Sequence, residues 1–305
     1  MGRKRKSDNG IQKINKRLAS IVKERPIHKE ILDFFKYIIR EQYKIKPLIK
    51  VAPIEINEET VKNQMKEGFP LIDKKDVKLD MDSAVALFTK LCRGLQKQAV
   101  NIAVEAKKIS QAVRKKEVDL EELLKKVLDG DKGYVDSIAG KAGLHKWLVT
   151  FLAESSINPV LEAYAVRLKG YVDQESWLRG YCPVCGSQPV MGELRNVEGT
   201  EGAKFLVCSS CSFEWRFKRL SCPFCGNEDL KKHRHFYIEK EGKAFRVDVC
   251  EECKKYIKTI DLREVQGVVV LPVDDIGTLH LDILAEKEGY TRGVPGFLEV
   301  QKMEG

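Results

Sequence analysis

Cys182-Pro183-Val184-Cys185-Gly186, Cys208-Ser209-Ser210-Cys211, Cys222-Pro223-Phe224-Cys225-Gly226 and Cys250-Glu251-Glu252-Cys253 fall in one stretch of the chain. Two intervening residues let both sulfurs of a pair face one ion, while the N–H groups of the turn face the thiolates and offset their charge. Gly186 and Gly226 supply the positive φ that tightens such a knuckle, and Cys-Pro-x-Cys-Gly is the form shared by zinc ribbons and rubredoxins. Joining consecutive pairs leaves 22 residues between Cys185 and Cys208 and 24 between Cys225 and Cys250, enough in each case for a hairpin. A crossed pairing of Cys211 with Cys222, ten residues apart, is the alternative. Dithiol redox chemistry competes as well, but that motif opens a helix as a single copy. Four copies among strand-like runs fit two tetrahedral S₄ sites for zinc or iron, and ligand type leaves the choice of metal open.

Working outward, residues 11 to 178 read as helical. Pro26 suits the first turn of a helix carrying Ile31, Leu32, Phe35, Ile38 and Ile39, which should end before Pro47. Apolar periodicity resumes near Asp82 and continues toward Val113, and Asp119 with Glu122 resembles a capping box. Trp147 to Leu152 is another helical stretch, and Asn158-Pro159 reads as the start of a separate helix. Beyond Tyr181 come short β-like runs at Lys204 to Val207, Glu214 to Arg219, His233 to Glu239 and Ala244 to Val249. The end of the chain offers a strand at Val268 to Leu271 and a helix from about Asp274 to Glu288, closed by Gly289. The fold class expected is α+β. An N-terminal all-helical domain precedes two small rubredoxin-like or zinc-ribbon β modules and a C-terminal helix. The divisions are 1–25 (a basic, partly disordered arm and first helix), 26–178 (helical domain), 179–220 (first module) and 221–305 (second module with the C-terminal helix).

With 305 residues, 43% of them apolar and 32% charged, the chain has the makings of an ordinary soluble protein with its own core. No signal-length apolar stretch follows the basic start, and no run is long enough to span a bilayer, so the expected location is the cytoplasm. There, nine cysteines are metal ligands or redox groups rather than a disulfide framework. Of the net charge of +9, residues 1–25 carry +7, from nine Lys or Arg against Asp8 and Glu24. Between residues 182 and 253 the 11 basic and 11 acidic side chains cancel, and each M²⁺ with four thiolates adds −2. Nucleic acid is therefore a poor partner for the ribbons, and a protein-interaction module on a helical scaffold suits them better. Cys92 sits in an apolar stripe and reads as core. His233 and His235 share a strand face and read, like His145 and His280, as ordinary polar residues. No phosphate loop, nucleophile elbow or His-Glu-x-x-His occurs, so no catalytic residue is assigned and no enzyme activity is expected.

The string Gly180-Tyr181-Cys182-Pro183-Val184-Cys185-Gly186-Ser187-Gln188-Pro189-Val190, then Cys208 to Cys211 with Glu214-Trp215, then the third and fourth pairs, resembles the formate dehydrogenase accessory protein FdhE family. The likeness includes Asp274-Asp275 and Glu288-Gly289-Tyr290 and runs more weakly through the helical half. The resemblance implies a chaperone-like cytoplasmic maturation factor for the catalytic subunit of molybdenum- or tungsten-dependent formate dehydrogenase, itself not the dehydrogenase. It also implies two metal ions, zinc or iron, in Cys₄ sites formed by Cys182, Cys185, Cys208 and Cys211 and by Cys222, Cys225, Cys250 and Cys253. The partner expected is the immature catalytic subunit, held until its pterin guanine dinucleotide cofactor is in place. An iron redox or sulfur-handling maturase is the alternative, and a nucleic-acid-binding zinc ribbon anchored by residues 3–25 is the third reading.

Overall fold

The computed structural model describes residues 2–25, 29–54, 56–97 and 100–294. Contacts divide the chain into two units, residues 1–54 with 74–164, and residues 55–73 with 165–305.

The first unit is helical: α1 (Gly2–Glu24), α2 (Lys29–Ile45), α4 (Met81–Leu95), α5 (Val100–Arg114), α6 (Leu120–Leu128), α7 (Lys132–Ala142) and most of α8 (Lys146–Leu168), with α3 (Glu58–Glu67) falling in the second unit. Within α1, Ile14, Leu18 and Ile21 form a buried i, i+4, i+7 stripe in an otherwise charged sequence. Each such burial is worth about 1.5–3 kcal/mol, so the basic segment is part of the core as well as a carrier of charge. The α1 helix packs on α2, α2 on α4, and α4 on α5 and α6. Tyr37 donates to the Lys90 carbonyl at 2.9 Å. The close approach of α2 to α4 depends on Gly94, where a Cβ would lie 1.9 Å from the Tyr37 ring. The proposed first-turn role of Pro26 lies outside the described residues. Asp119 caps α6 by accepting from the Glu122 N–H, and Gly130 follows at φ 77°.

Asn158-Pro159 does not start a helix: α8 runs unbroken through it. An interior proline removes the bond to the carbonyl four residues back, here Ser155. Gln42 replaces it, donating Nε2–H to the Ser155 oxygen at 2.7 Å. Local sequence could not reveal a partner 113 residues away.

The second unit is built on one mixed sheet. Its strands are β1 (Pro189–Val197), β2 (Thr200–Cys208), β3 (Glu214–Phe217), β4 (His233–Phe236), β5 (Phe245–Cys250), β6 (Lys255–Asp261) and β7 (Thr291–Arg292). The order is β3-β2-β1-β6-β5-β4, with β7 beside β6. Each ribbon is an antiparallel triplet, and the two triplets join through parallel pairing of β1 with β6, from Met191↔Lys258 to Leu194↔Asp261. The first strand of one triplet thus meets the third strand of the other, both in the same orientation. The knuckle ends of both ribbons consequently lie at the same end of the sheet.

Two C-terminal helices, α9 (Leu271–Gly277) and α10 (Leu279–Lys287), replace the single helix expected, with the break at Thr278. No strand forms at Val268 to Leu271. The Val270 N–H goes instead to the Asp274 carboxylate at 2.7 Å, and Pro272 in the first turn starts α9. Val247, Val249 and Tyr256 on one sheet face pack against Leu281, Ala285 and Tyr290.

That helix-covered face also buries charge. Lys258 Nζ lies 2.6 Å from Asp282 and 2.8 Å from Asp275, while Arg292 lies 2.5 Å from Asp275 and Tyr256 donates to Asp282 at 2.8 Å. Two cations and two carboxylates balance, which is the condition for burying such groups without a large penalty. Burial alone would raise the Asp275 carboxyl, but Arg292 and Lys258 outweigh it and hold it below the usual range.

Candidate metal centres

Each cysteine pair sits in the same tight turn. Cys182 N–H donates to Ser187 O and Gly186 N–H to Cys182 O, both at 2.9 Å, and Cys222, Asn227 and Gly226 repeat the pattern. The residue after the second cysteine has positive φ in all four turns: Gly186 (73°), Ser212 (53°), Gly226 (73°) and Lys254 (55°). The two glycines announce this in the sequence, whereas Ser212 and Lys254 adopt a conformation that their residue types disfavour. Backbone N–H groups face sulfur, from Ser210 and Cys211 to Cys208 and from Phe224 to Cys222, each at 3.4 Å.

The eight sulfurs gather as two groups of four, Cys182, Cys185, Cys208 and Cys211, and Cys222, Cys225, Cys250 and Cys253, with ligand atoms within 4.8 Å of one another. Consecutive pairs join, and the crossed pairing of Cys211 with Cys222 does not occur. In the first group Cys182–Cys211 and Cys185–Cys208 are 3.5 Å apart and Cys185–Cys211 3.6 Å, and in the second Cys222–Cys253 and Cys225–Cys250 are 3.7 Å apart. A disulfide needs about 2.05 Å. A tetrahedron with metal–sulfur bonds of about 2.3 Å has edges of about 3.8 Å, so either group could hold a metal ion.

Sulfurs this close cannot share negative charge unaided. Hydrogen bonds from Cys182, Cys208 and Cys211 pull the Cys185 thiol down, while those to Cys182, Cys185 and Cys208, with burial behind them, push Cys211 far up. An M²⁺ ion removes the conflict, because thiolate ligation releases all four protons.

The two clusters differ in exposure. All four cysteines of the first are at most 5% exposed. In the second, Cys222 and Cys250 are buried, but Cys225 is exposed and Cys253 half-buried. Segments outside the ribbons clasp both. Leu71 and Ile72 donate to the carbonyls of Pro183 and Val184 at 2.9 and 3.0 Å, and Tyr181 donates to Gly68 O at 2.8 Å. At the second cluster, Tyr290 donates to the Glu251 carboxylate at 2.6 Å and Thr291 N–H to Lys254 O at 2.8 Å. Gly293 lies where a Cβ would meet the Phe224 ring at 1.9 Å. Gly180 ties one knuckle region to the other, since a Cβ there would lie 1.9 Å from the Pro223 carbonyl oxygen.

No histidine enters either group among the described residues. His233 donates to Asn227 O at 2.9 Å, His280 pairs with Glu241, and His145 meets Trp147 edge-on. Cys92 is buried in α4, and burial pushes its thiol up to about 12, as befits a core residue. Sequence reading missed the clasping segments and the Lys258–Asp282 network; only Asp274-Asp275 and Glu288-Gly289-Tyr290 hinted at them.

Residues 181–219, which hold the first cluster, match the family model described as FdhE, central domain. Residues 220–298, which hold the second, match FdhE, C-terminal domain. The two matches together run over residues 181–298. Along most of its length the chain is similar to a protein named FdhE homolog from Aquifex aeolicus, with 27% identity over 91% of this chain and 92% of that protein. Protein FdhE of Escherichia coli is 35% identical over 37% of this chain and 36% of its own length. The fold is that of the FdhE crystal structure from Pseudomonas aeruginosa, with a TM-score of 0.69 over 94% of each chain at 21% identity. The FdhE resemblance and the α+β class read from sequence are borne out. No described helix is long and apolar enough to cross a membrane.

Proposed function

We propose that this chain is a cytoplasmic accessory factor for molybdenum- or tungsten-dependent formate dehydrogenase, binding the immature catalytic subunit through a scaffold held by two metal ions. Cys182, Cys185, Cys208 and Cys211 hold one ion, and Cys222, Cys225, Cys250 and Cys253 the other. One observation carries this reading: each group offers four sulfurs at tetrahedral spacing, a set that fills a metal's coordination shell and leaves no position for substrate. A filled shell suits a structural ion, zinc or iron, that fixes a binding surface. The likeness to FdhE supports formate dehydrogenase as the client. Its pterin guanine dinucleotide cofactor is the event for which the subunit waits.

The test is co-purification of the catalytic subunit from its own cytoplasm with the wild-type chain and with Cys182→Ala, alongside metal analysis. Capture by wild type alone, at two metal equivalents, supports the reading. Equal capture by the variant overturns it.

A second reading, iron redox change or sulfur handling on the client, is favoured by the exposure of Cys225, which puts one sulfur of the second cluster within reach of a reactant. Reversible visible absorbance changes in the isolated protein would support it. A colourless zinc-only preparation that activates the client would exclude the iron version.

A further inference from the structure

We propose that the uncovered face of the second ribbon binds the diphosphate group of a small molecule. Strand alternation sends Val247 and Val249 toward the helices and leaves Arg246 and Asp248 on the opposite face, with His235 directly across from Asp248. A groove of about 100 Å³ forms there, lined by Lys204, Arg219, His235, Arg246, Lys255 and a single carboxylate, Asp248.

That carboxylate is already used. Lys204 reaches it from β2 at 3.1 Å, Arg246 lies at 2.8 Å, and Thr259 donates to it at 2.9 Å. Among the described residues Arg219 and Lys255 have no carboxylate partner. A divalent ion with four thiolates would place two negative charges behind Cys222 and Cys250, which line the same groove. Four cations against Asp248 and those two charges still leave the groove positive. Guanidinium and ammonium groups converging on a small concavity suit phosphate oxygens, with the guanidinium able to bind two at once. The groove has room for one or two phosphate groups and opens to solvent, where the rest of a ligand would lie. Leu220, 55% exposed, and Phe224 at the rim offer apolar surface to a ring carried by those phosphates. The inference stands apart from the maturation reading, since it needs no client.

The experiment is calorimetric titration of the full, metal-loaded chain with inorganic pyrophosphate and with ADP. Saturable one-site binding is expected, weakening with salt and falling at least about tenfold in Arg219→Gln/Lys255→Gln with metal content and thermal midpoint unchanged. Tighter binding of ADP than of pyrophosphate identifies a nucleotide-type ligand, and equal binding identifies recognition of the diphosphate alone; both support the site. Absence of saturable binding overturns it, as does binding that survives the double substitution or a preference for poly-glutamate. Loss of metal from the double variant also overturns it, because the cations would then serve the thiolates.

Discussion

Gln42 in α2 donates its side-chain amide to the Ser155 carbonyl in α8, the oxygen that Pro159 leaves without a helical donor. A bond between helices thereby does the work of one missing within a helix. Replacing Gln42 with Ala strands a part-buried carbonyl, and the expected cost is about 1–3 kcal/mol in denaturant unfolding. Adding Pro159→Ala to that variant should return most of the loss, because residue 159 regains its N–H. Lack of recovery would show that the amide acts through packing alone.

The unequal exposure of the clusters predicts unequal metal release. A mild chelator should remove one equivalent first, and alkylation followed by mass spectrometry should then label Cys222, Cys225, Cys250 and Cys253 ahead of the other four. Simultaneous release of both equivalents would contradict this. Stripping both ions should unfold the ribbons, since a structural tetrathiolate site contributes apparent binding energy on the order of 10 kcal/mol.

Lys258 touches two carboxylates on the helix-covered face. Its change to Met leaves Asp275 and Asp282 sharing Arg292 alone, and the loss expected is about 3–5 kcal/mol, read as a lowered thermal midpoint. Lys258→Arg should be milder. Equal effects would mean that volume, and not charge balance, matters there.

Asp248 gives a pH dependence of known sign. Although burial raises its pKa, Lys204 and Arg246 outweigh that and lower it from 3.8 to about 2. A carboxyl lowered on folding stabilises the native state above its unfolded value, by about 2 kcal/mol here, and the contribution fades as pH falls from about 4 toward 2. Acid unfolding of Asp248→Asn should lack that component. An unchanged acid limb would remove Asp248 from the account.

Gly180→Ala should destabilise by more than about 2 kcal/mol, because the added methyl meets a backbone oxygen that no rotamer change can move. Gly226→Ala, with open space around its Cβ, should cost less and chiefly through its positive φ. The reverse ranking would mean that the Gly180–Pro223 contact is unimportant.

What could be read from the sequence followed from how local each interaction is. A Cys-x-x-Cys turn carries its own geometry, so the gathering of eight cysteines into two groups of four was legible, as was the cap at Asp119. Parallel pairing of β1 with β6 leaves no local trace, and neither strand was identified. Pro159 read as a helix start because its compensating donor lies far away in the chain. Val268 to Leu271 had strand composition, but Asp274 claimed the N–H of Val270. Nothing local marks Lys258 as buried, because Asp275 and Asp282 lie 17 and 24 residues further along the chain.

The parallel seam between β1 and β6 has a practical outcome for anyone dividing the molecule. A cut between the two matched regions, after residue 219, would bare two strand edges, Met191–Leu194 and Lys258–Asp261, that the intact sheet covers. Each half would then carry a sticky border able to recruit another copy of itself, so separated halves should form dimers or aggregates.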